Sequence, residues 1–371
     1  MSIEEFDVLV VGLGPGGGAA AAAAAAAGLR VIAIDRKREI GTPVQCAEFI
    51  PLPLSRHAQG KSVLAQRISA MKSVLPSGAI ADTPFTGLMI DRAAFDRALA
   101  ESAVKAGAVV HTASLLTALD SGQQIAEFRS VEGTRRVRYR VLIAADGPHS
   151  TVARLVGLPP LTTVNTRQYT VPLLRPFNDT DIWLSPDYPG GYAWLFPKGD
   201  RANLGLGMDA HIDADMKTPL DALHETLVAE GRVGAQILGR TGGAIPVGGL
   251  RERLALAEIL LVGDAAGMTH PITGAGIAAG VASGEAAAEA ARAYVAGDAG
   301  ALAEYEEDMR DQLGESLARA VARRAELARV WNTAAANDDA IHRRGWIAFD
   351  DYYQPDDRAA APDRRYYENI N

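Results

Sequence analysis

The chain contains little that would send it out of a reducing compartment or into a membrane. Among its 371 residues there is one cysteine, Cys46, so no internal disulfide can form. No uninterrupted apolar run reaches the length of a membrane span. Residues 1–11 lack the basic stretch that opens a secretory signal. We therefore expect a cytoplasmic protein that is soluble or peripheral to a membrane.

The chain also lacks an excess of positive charge. Lys and Arg number 37 against 45 Asp and Glu, so the net charge is −8, which argues against nucleic acid as a partner. The hydrophobic share of 48% is ordinary for a soluble globular protein, and the length suffices for two or three domains. We find no long internal repeat and assign no metal-binding residues.

The strongest pattern that is present lies near the start of the chain. Apolar runs at residues 6–11 and 31–34 flank unbroken alanine from 19 to 27, which predicts two buried parallel strands joined by a helix. The turn before the helix contains Gly12, Gly14, Pro15, Gly16 and Gly17. This glycine spacing permits a tight turn and close approach of a pyrophosphate to the helix N-terminus. Asp35 ends the second strand, where a carboxylate can bind a ribose, so we predict a dinucleotide site.

The stretch after Asp35 leaves two roles open. Arg36 and the two basic residues behind it could reach adenylate phosphates, or they could form an ordinary solvated loop. Residues 41–53 are rich in proline and small side chains, which predicts a loop, and loops on a rigid sheet often carry function. This loop holds Cys46, which is either a reactive group or a small buried hydrophobe.

Two more candidate positions follow predicted strands. Asp91 is a good N-cap for a helix that ends at Gly107. Arg92, in the first turn, is either an exposed side chain or a contact to a cofactor phosphate. Asp146 and Gly147 follow a buried strand, at the edge of the sheet where ligands bind in open α/β proteins.

Residues 159–247 change in texture to prolines, aromatics and short alternating strands, which predicts a second domain. Tyr192, Trp194 and Phe196 fall on one face of a strand because side chains alternate with a period of two. Such a face is either plain sheet core or the wall of an apolar pocket.

A second glycine-rich turn follows the buried strand at 258–262. It includes Gly263, Asp264, His270, Gly274, Ala275, Gly276 and Ile277, the last of which opens a small-residue helix. A carboxylate beside free helix N–H groups suits a sugar-like hydroxyl and a ring that carries negative charge. We assign His270 to the substrate side. After residue 297 we predict helix to about 329, and then a partly ordered cap or oligomer contact that includes Tyr366 and Tyr367.

Together, the turn at 12–17 and the pairs Asp146-Gly147 and Gly263-Asp264 resemble the FAD-binding set of the flavoprotein hydroxylase superfamily. There, the first binds the ADP half, the second lies near the pyrophosphate and the third holds the ribitol. Segment 43–48 is similar to the cysteine loop beside the flavin in the geranylgeranyl reductase family, with Ala47 where many members have glycine. Tyr192-x-Trp194-x-Phe196-Pro197 with Gly205-x-Gly207 looks like the aromatic signature of that family. The match at 91–96 implies that Arg92 touches FAD.

The resemblance covers about residues 5–290 and implies an α/β fold that is α+β overall. A Rossmann-like FAD-binding domain would comprise 1–75, 91–158 and 249–296. A substrate domain with a mainly antiparallel sheet would comprise 76–90 and 159–248, and a C-terminal helical cap and tail would comprise 297–371.

The first functional hypothesis is an FAD-dependent reductase that saturates isolated C=C bonds of an isoprenoid chain. The aromatic side chains at 192, 194 and 196 would form an apolar slot. Cys46 would donate a proton or contact the flavin, Glu48 would support it, and the helix start at Gly274–Gly276 would favour the anionic reduced flavin. The electron donor would be a transiently bound nicotinamide such as NADPH, or a small redox protein.

Two alternatives remain open at this point. One is a monooxygenase or halogenase that acts on an aromatic substrate, including a protein side chain. Tryptophan halogenases carry a similar strand motif, but with Trp and Ile where this chain has Tyr192 and Phe196, which favours the reductase. The other is a flavoprotein that binds lipid or passes electrons to a quinone, in which Cys46 would be a buried structural thiol.

Overall fold

The computed structural model describes residues 3–58, 62–209 and 215–355. The end of the predicted cap, residues 356–371 with Tyr366 and Tyr367, lies outside the described residues. The strands, in chain order, are β1 (Glu4–Val11), β2 (Val31–Ile34), β3 (Phe49–Pro51), β4 (Leu64–Val74), β5 (Ile80–Ile90), β6 (Val109–His111), β7 (Leu115–Asp120), β8 (Ile125–Ser130), β9 (Gly133–Ala144), β10 (Thr163–Pro172), β11 (Asp179–Trp183), β12 (Ala193–Lys198), β13 (Arg201–Asp209), β14 (Gly239–Thr241), β15 (Ala244–Pro246), β16 (Ala255–Leu256) and β17 (Ile259–Leu261). The α-helices are α1 (Pro15–Ala26), α2 (Arg92–Lys105), α3 (Thr151–Leu155), α4 (Lys217–Ala229), α5 (Ile277–Val295), α6 (Ala301–Ala328) and α7 (Asp339–Gly345).

The first sheet is built from the continuous apolar runs, whose residues are buried on both faces. Its strand order is β16-β17-β9-β1-β2-β6, with β7 and β8 attached beside β9. The strands β17, β9, β1, β2 and β6 are parallel. Their carboxyl ends therefore share one edge, and the turns at 12–17, 35–37, 146–150 and 263–276 follow four of them. We call these four turns the carboxyl-end edge.

Helices α1 and α5 pack against each other almost backbone to backbone. A Cβ at Gly16 would lie 3.0 Å from the Gly280 carbonyl oxygen, and one at Gly284 would lie 2.1 Å from the Gly16 carbonyl oxygen. Only glycine allows this separation. Because Gly16 and Gly280 both lie in the first turns of their helices, the two N-termini sit side by side at the carboxyl-end edge.

The second sheet has the strand order β14-β10-β13-β12-β11-β4-β5-β3, with β15 paired to β10. It is mainly antiparallel, with one parallel pair between β11 and β4. The predicted division assigned residues 1–75 to the FAD-binding domain, whereas β4 pairs along its length with β5 and belongs to the second sheet. The reason is the hairpin at Gly78, whose register of Val74 opposite Ile80 joins the two strands as a unit. The predicted α/β class and the mainly antiparallel second sheet are confirmed.

The C-terminal helices connect the two sheets. Helix α6 covers the first sheet, where the Tyr305 hydroxyl donates to the Leu261 carbonyl at 2.7 Å. The following segment, 334–355, crosses to the second sheet, where Trp346 and Phe349 are buried in one apolar cluster with Trp194. Within the described ranges, we find no helix with the length and apolar character needed to cross a membrane.

Candidate active site

In the first glycine turn, packing requires glycine at position 17 but leaves free space around position 14. A Cβ at Gly17 would lie 1.8 Å from the Gly12 carbonyl oxygen, and Gly12 itself has a φ of +96°. At Gly14, by contrast, an added Cβ would meet no described atom within 4 Å. Among the described residues, no side chain caps α1, so its first N–H groups are available to an anion.

Asp35 lies at the end of β2, where it is tied to this turn. Its carboxylate accepts from the Leu13 backbone N–H at 2.7 Å and from the Lys37 backbone N–H at 2.8 Å. These bonds fix the carboxylate beside the glycine turn, as the predicted ribose contact requires. Arg36 is exposed just beyond it, and its contact with the adenylate stays a prediction.

The carboxylate of Asp146 is occupied by its own chain. It accepts from the Ser150 hydroxyl at 2.5 Å and from the backbone N–H groups of Thr151 and Val152 at 2.6 and 3.1 Å. Burial raises the pKa of Asp146, and these hydrogen bonds oppose the shift. Asp146 thus supports the start of α3, whose N-cap residue is Ser150, and its contact with the cofactor stays a prediction. Gly147 has a φ of +83°, and an added Cβ there would meet no described atom within 4 Å, so its backbone is open to a cofactor as well.

The second glycine turn places Asp264 beside the start of α5. The Thr269 hydroxyl donates to the Asp264 carboxylate. Burial raises the pKa of Asp264, and the positive charge of Arg92 opposes that shift. A Cβ at Gly276 would lie 2.5 Å from the Thr269 hydroxyl oxygen and 3.0 Å from Asp264 Oδ1. Glycine at 276 therefore keeps the carboxylate and the helix start together.

The cysteine loop leans on α2. The Glu48 backbone N–H donates to Cys46 Sγ at 3.2 Å, and the positive charge of Arg92 acts on the thiol and lowers its pKa. Arg92 is itself held by a bidentate pair with Asp96 at 3.0 and 3.2 Å. Burial raises the pKa of Cys46 despite the attraction of Arg92. The side chain is therefore a neutral thiol that holds a proton at pH 7.

Glu48 anchors this loop in a strained conformation. It is a non-glycine residue with a φ of +72° and is 4% exposed. Its carboxylate accepts from Lys198 Nζ at 2.8 Å to each oxygen, from Asn203 Nδ2 at 2.8 Å and from the Arg92 backbone N–H at 2.9 Å. With four hydrogen bonds from three donors in place, Glu48 positions the cysteine loop between α2 and the β12–β13 hairpin.

Tyr192, Trp194 and Phe196 do share one face, which we call the aromatic face. Their ring centroids lie 5.7 Å apart for the first pair and 6.5 Å apart for the second. A Cβ at Gly205, the residue opposite Trp194, would lie 2.4 Å from the indole, which explains the glycine on β13. The indole N–H donates to Gln168 Oε1 at 3.2 Å, and Gln168 Nε2 donates to the Cys46 carbonyl at 3.1 Å.

The loop before α5 reaches the aromatic face from the other side. The Tyr192 hydroxyl, whose pKa is raised by burial, donates to the Thr273 carbonyl at 2.5 Å. His270 Nδ1 accepts from the Ile272 and Thr273 backbone N–H groups at 3.3 Å each, and Nε2 lies 3.4 Å from the Tyr352 hydroxyl. Burial lowers the pKa of His270 to about 4. His270 is therefore neutral and shapes this loop, and its contact with substrate stays a prediction.

Several residues of this site were not predicted from the sequence. They are Lys198, Asn203 and Gln168 around the cysteine loop, and Trp346 and Tyr352 from the C-terminal segment. Lys198 continues the period of two that gave the aromatic face, and Asn203 stands opposite Phe196, so extending the alternation along β12 and β13 would have found both. Trp346 and Tyr352 carry no such local signal.

The fold and site define an FAD-dependent oxidoreductase, because an open glycine turn, two adjacent helix N-termini and two fixed carboxylates fit a flavin dinucleotide. The family models for the geranylgeranyl reductase catalytic domain and the FAD binding domain match residues 171–244 and 52–187. Digeranylgeranylglycerophospholipid reductase of Methanocella arvoryzae is 37% identical over 340 residues, which cover 84% of this chain and 85% of that protein. The enzyme of the same name from Methanosarcina acetivorans is 34% identical over 304 residues, which cover 73% of this chain and 71% of that protein.

Solved structures give the same result. A geranylgeranyl bacteriochlorophyll reductase-like protein from Thermoplasma acidophilum has a TM-score of 0.85 at 28% identity, covering 94% of this chain and 93% of its own. A flavin-dependent halogenase has a TM-score of 0.71 at 18% identity, covering 91% and 67%, and shares the fold alone. This chain belongs to the geranylgeranyl reductase family. The predicted family, enzyme class and FAD cofactor are confirmed, and the monooxygenase or halogenase alternative is not favoured.

Proposed function

We propose that this enzyme saturates isolated C=C bonds of a geranylgeranyl-type chain carried on a glycerolipid. The observation that carries the proposal is the hydrogen-bonded line from the aromatic face to the cysteine loop, in which Trp194 binds Gln168 and Gln168 binds the Cys46 carbonyl. An unactivated alkene offers no carbonyl to polarise, so an apolar wall held in fixed register with a proton donor is what the reaction needs.

The cofactor would be held at the carboxyl-end edge. The open turn at Gly14 and the start of α1 would take the pyrophosphate, Asp35 the ribose and Asp264 the ribitol. The uncapped start of α5, after Gly276, would favour negative charge on the ring. When bound and reduced, FAD supplies the hydride.

The residues of this chain would complete the reaction with a proton and a dry surface. The Cys46 thiol stays protonated because burial raises its pKa, so it would donate a proton to the second alkene carbon. Arg92, whose positive charge acts on Cys46, would stabilise the thiolate left behind. The rings at 192, 194 and 196 would exclude water and hold the chain flat.

The proposal also covers the location of the enzyme and its electron donor. The net charge of −8 and the apolar site suit a cytoplasmic enzyme that meets a lipid at a membrane surface without a strong electrostatic attraction. The glycine pair Gly205 and Gly207 lies inside β13 and not in a strand-turn-helix unit, so it does not suit a second nucleotide. We propose a transiently bound NADPH or a small redox protein as the electron donor.

The test is anaerobic and separates reduction from oxygen chemistry. The FAD-loaded protein is reduced with dithionite and mixed with geranylgeranyl glycerolipids that differ in head group, and flavin reoxidation is followed beside product mass. We expect gains of about two mass units per saturated bond. No mass gain, combined with rapid reoxidation only when oxygen and an aromatic acceptor are present, would show that the proposal is wrong.

The thiol is tested in the same assay. Cys46→Ala should slow lipid-dependent reoxidation by about 100-fold or more, because a positioned general acid contributes that much. Since its pKa is raised above the ordinary 9.0, the wild-type rate should stay flat up to about pH 9 and fall only above it. Cys46→Ser, which keeps a donor of similar size, serves as the matched control. A Cys46→Ala variant of wild-type rate would remove the thiol from the mechanism.

A further inference from the structure

A second cleft lies behind the aromatic face. It is bordered by the connection from β11 to β12 (residues 184–192), the end of α6 and helix α7, and its cavity volume is about 40 Å³. A cavity of this size has room for only a few water molecules, so the end of a chain would enter it only if a lining side chain were smaller. Its walls are mainly apolar and include Tyr188, Leu327, Val330, Trp331 and Ile341. Of the residues in the family motifs, Tyr192 lines this space, whereas Cys46, Trp194 and Phe196 do not.

Two rings lie where this cleft meets the aromatic face, and one of them, Tyr192, belongs to that face. Tyr192 and Trp346 line the cleft, and both also belong to the cluster around Trp194. Their ring centroids lie 4.9 Å apart, with the planes at 64°. Tyr192 therefore has Trp194 on one side and Trp346 on the other. We call this pair of rings the partition.

The partition is held by hydrogen bonds as well as by packing. The Trp346 indole N–H donates to the hydroxyl of the fully buried Ser73 at 3.0 Å, and the Tyr192 hydroxyl donates to the Thr273 carbonyl at 2.5 Å. Each ring thus has one satisfied polar atom that fixes its orientation. Moving either ring aside to admit an isoprenoid chain would break its hydrogen bond and would therefore cost free energy.

We propose that Trp346 is a specificity-determining residue that ends the apolar slot, and that the partition limits how far an isoprenoid chain enters. This inference rests on the proposed function, because the chain that Trp346 stops is the one whose double bond must lie beside the flavin. The depth of the slot would then decide which double bond is reduced. The cleft behind the partition would receive the end of a chain only when Trp346 is made smaller.

The rest of the C-terminal segment has its own anchors, so Trp346 can be truncated without releasing it. Arg323 Nε donates to the Tyr352 carbonyl at 3.1 Å. Arg344 pairs with Glu326 at 2.9 Å. At the other end, the Ser77 backbone N–H donates to Asp339 at 3.0 Å.

The first test measures binding. Saturated isoprenoid alcohols that lengthen by one isoprene unit, from geranyl to geranylfarnesyl, are titrated into the oxidised FAD-loaded protein by calorimetry. For the wild type we expect affinity to rise with length and then level off where the slot is full. For Trp346→Leu it should keep rising for at least one more unit, by about tenfold or more, because the added carbons become buried. Identical profiles for the two proteins would overturn the inference.

Two further variants distinguish a specific role of the partition from general loosening of the apolar cluster. Phe349→Leu removes a ring from the same cluster but from a position that does not line the cleft, so its levelling point should match the wild type. Ser73→Ala keeps the indole and releases its hydrogen bond, so its profile should lie between those of wild type and Trp346→Leu. If Phe349→Leu extends the profile as far as Trp346→Leu, general loosening of the cluster is the cause and the partition has no specific role.

Turnover separates this inference from the proposed function. With a geranylgeranyl glycerolipid, Trp346→Leu should shift saturation to a different double bond, as located by fragmentation of the product. If wild-type enzyme saturates no isoprenoid, the proposed function fails, and the binding series still judges the partition. If wild-type enzyme saturates the lipid and the variant gives the same bond positions and the same binding profile, the inference about Trp346 fails while the proposed function stands.

Discussion

The carboxyl-end edge and the aromatic face are assembled from contacts of different range. At the edge, many contacts lie within one turn or between adjacent strands, such as Gly12 with Gly17 and Leu13 with Asp35, and the main long-range contact is that of α1 with α5. At the aromatic face, the cysteine loop meets Lys198 from 150 residues further along the chain. Trp346 and Ser73, in the same region, are 273 residues apart.

This difference reflects what each region must bind. A dinucleotide has a constant shape, so backbone N–H groups and close glycine contacts on a rigid sheet suffice for it. An apolar chain has few groups that can form hydrogen bonds, so its site must surround it with several apolar surfaces. Those surfaces come from β12, the cysteine loop and the segment 334–355. We expect damage at the edge to abolish cofactor binding or folding, and damage at the aromatic face to change rate and specificity.

The largest effect is expected within the first glycine turn. Gly17→Ala would place a Cβ 1.8 Å from the Gly12 carbonyl oxygen, a backbone atom that no side-chain rotation can move. We expect a loss of about 3 kcal/mol or more in the free energy of unfolding. The measurement is urea unfolding of the apoprotein, followed by circular dichroism.

Gly14→Ala is the matched control for that change. An added Cβ at Gly14 meets no described atom within 4 Å, so the apoprotein should unfold at wild-type urea concentration. Its FAD affinity should nevertheless fall, because the close approach of the pyrophosphate is lost. If Gly14→Ala destabilised the apoprotein as much as Gly17→Ala, packing and ligand approach would not be separable at this turn.

A smaller effect is expected where the two regions meet, at Glu48. Glu48→Gln leaves the Lys198 ammonium without its main partner in a mostly buried position, which should cost about 3 kcal/mol of stability or somewhat less. The double variant Glu48→Gln with Lys198→Met should recover part of this loss, since no unpaired charge remains. A double-mutant cycle from urea unfolding of the FAD-loaded protein measures the coupling.

The cycle also tells what Glu48 contributes. Additive effects of the two substitutions would mean that the four hydrogen bonds at this carboxylate do not act as a unit. Strong coupling between the two substitutions, together with slow lipid-dependent reoxidation in the Glu48→Gln variant, would mean that the charge pair positions Cys46. The link is the Glu48 backbone N–H, which donates to the sulfur.

Each glycine turn of the edge was predictable from the sequence because its determinants are local, whereas the contact of α1 with α5 was not. Glycines at 12, 14 and 17 and the acid at 35 sit at the spacing that a strand-turn-helix unit needs, and the structure forms that unit. Asp146, which the pattern assigned to the cofactor, also accepts hydrogen bonds from the start of α3, and its cofactor contact stays a prediction. The sequence alone does not show that Ser150 and the two N–H groups after it lie within reach of this carboxylate.

The aromatic face was predictable only in part. The period of two identified the three rings at 192, 194 and 196, since alternation is a property of any strand. It could not identify which surfaces cover them, because Trp346 reaches them through a tertiary contact. The domain boundary predicted at residue 75 has a different origin, since β4 joins the second sheet through a local hairpin with β5 that the pattern did not identify.

The smallest effect is expected at His270, which joins the edge to the C-terminal segment through Tyr352. Its pKa is lowered by burial from the ordinary 6.5 to about 4. Between these values the unfolded chain binds more protons at this site than the folded one, so stability falls as pH falls. The cost between pH 7 and pH 5 should be about 2 kcal/mol or less. Thermal unfolding across this range measures it.

Replacing the imidazole isolates this term from other acid-sensitive groups. Asp96, Asp146 and Asp264 have raised pKa values, which act in the opposite direction and remain in every variant. His270→Asn should therefore lose less stability than wild type on acidification, whatever its stability at pH 7. Tyr352→Phe removes the hydroxyl partner and keeps the imidazole buried, so its acid sensitivity should stay close to that of wild type. If the stability of His270→Asn and of wild type fell equally with pH, His270 would be solvated in the folded protein. The loop before α5 would then open more readily than the other turns of the carboxyl-end edge.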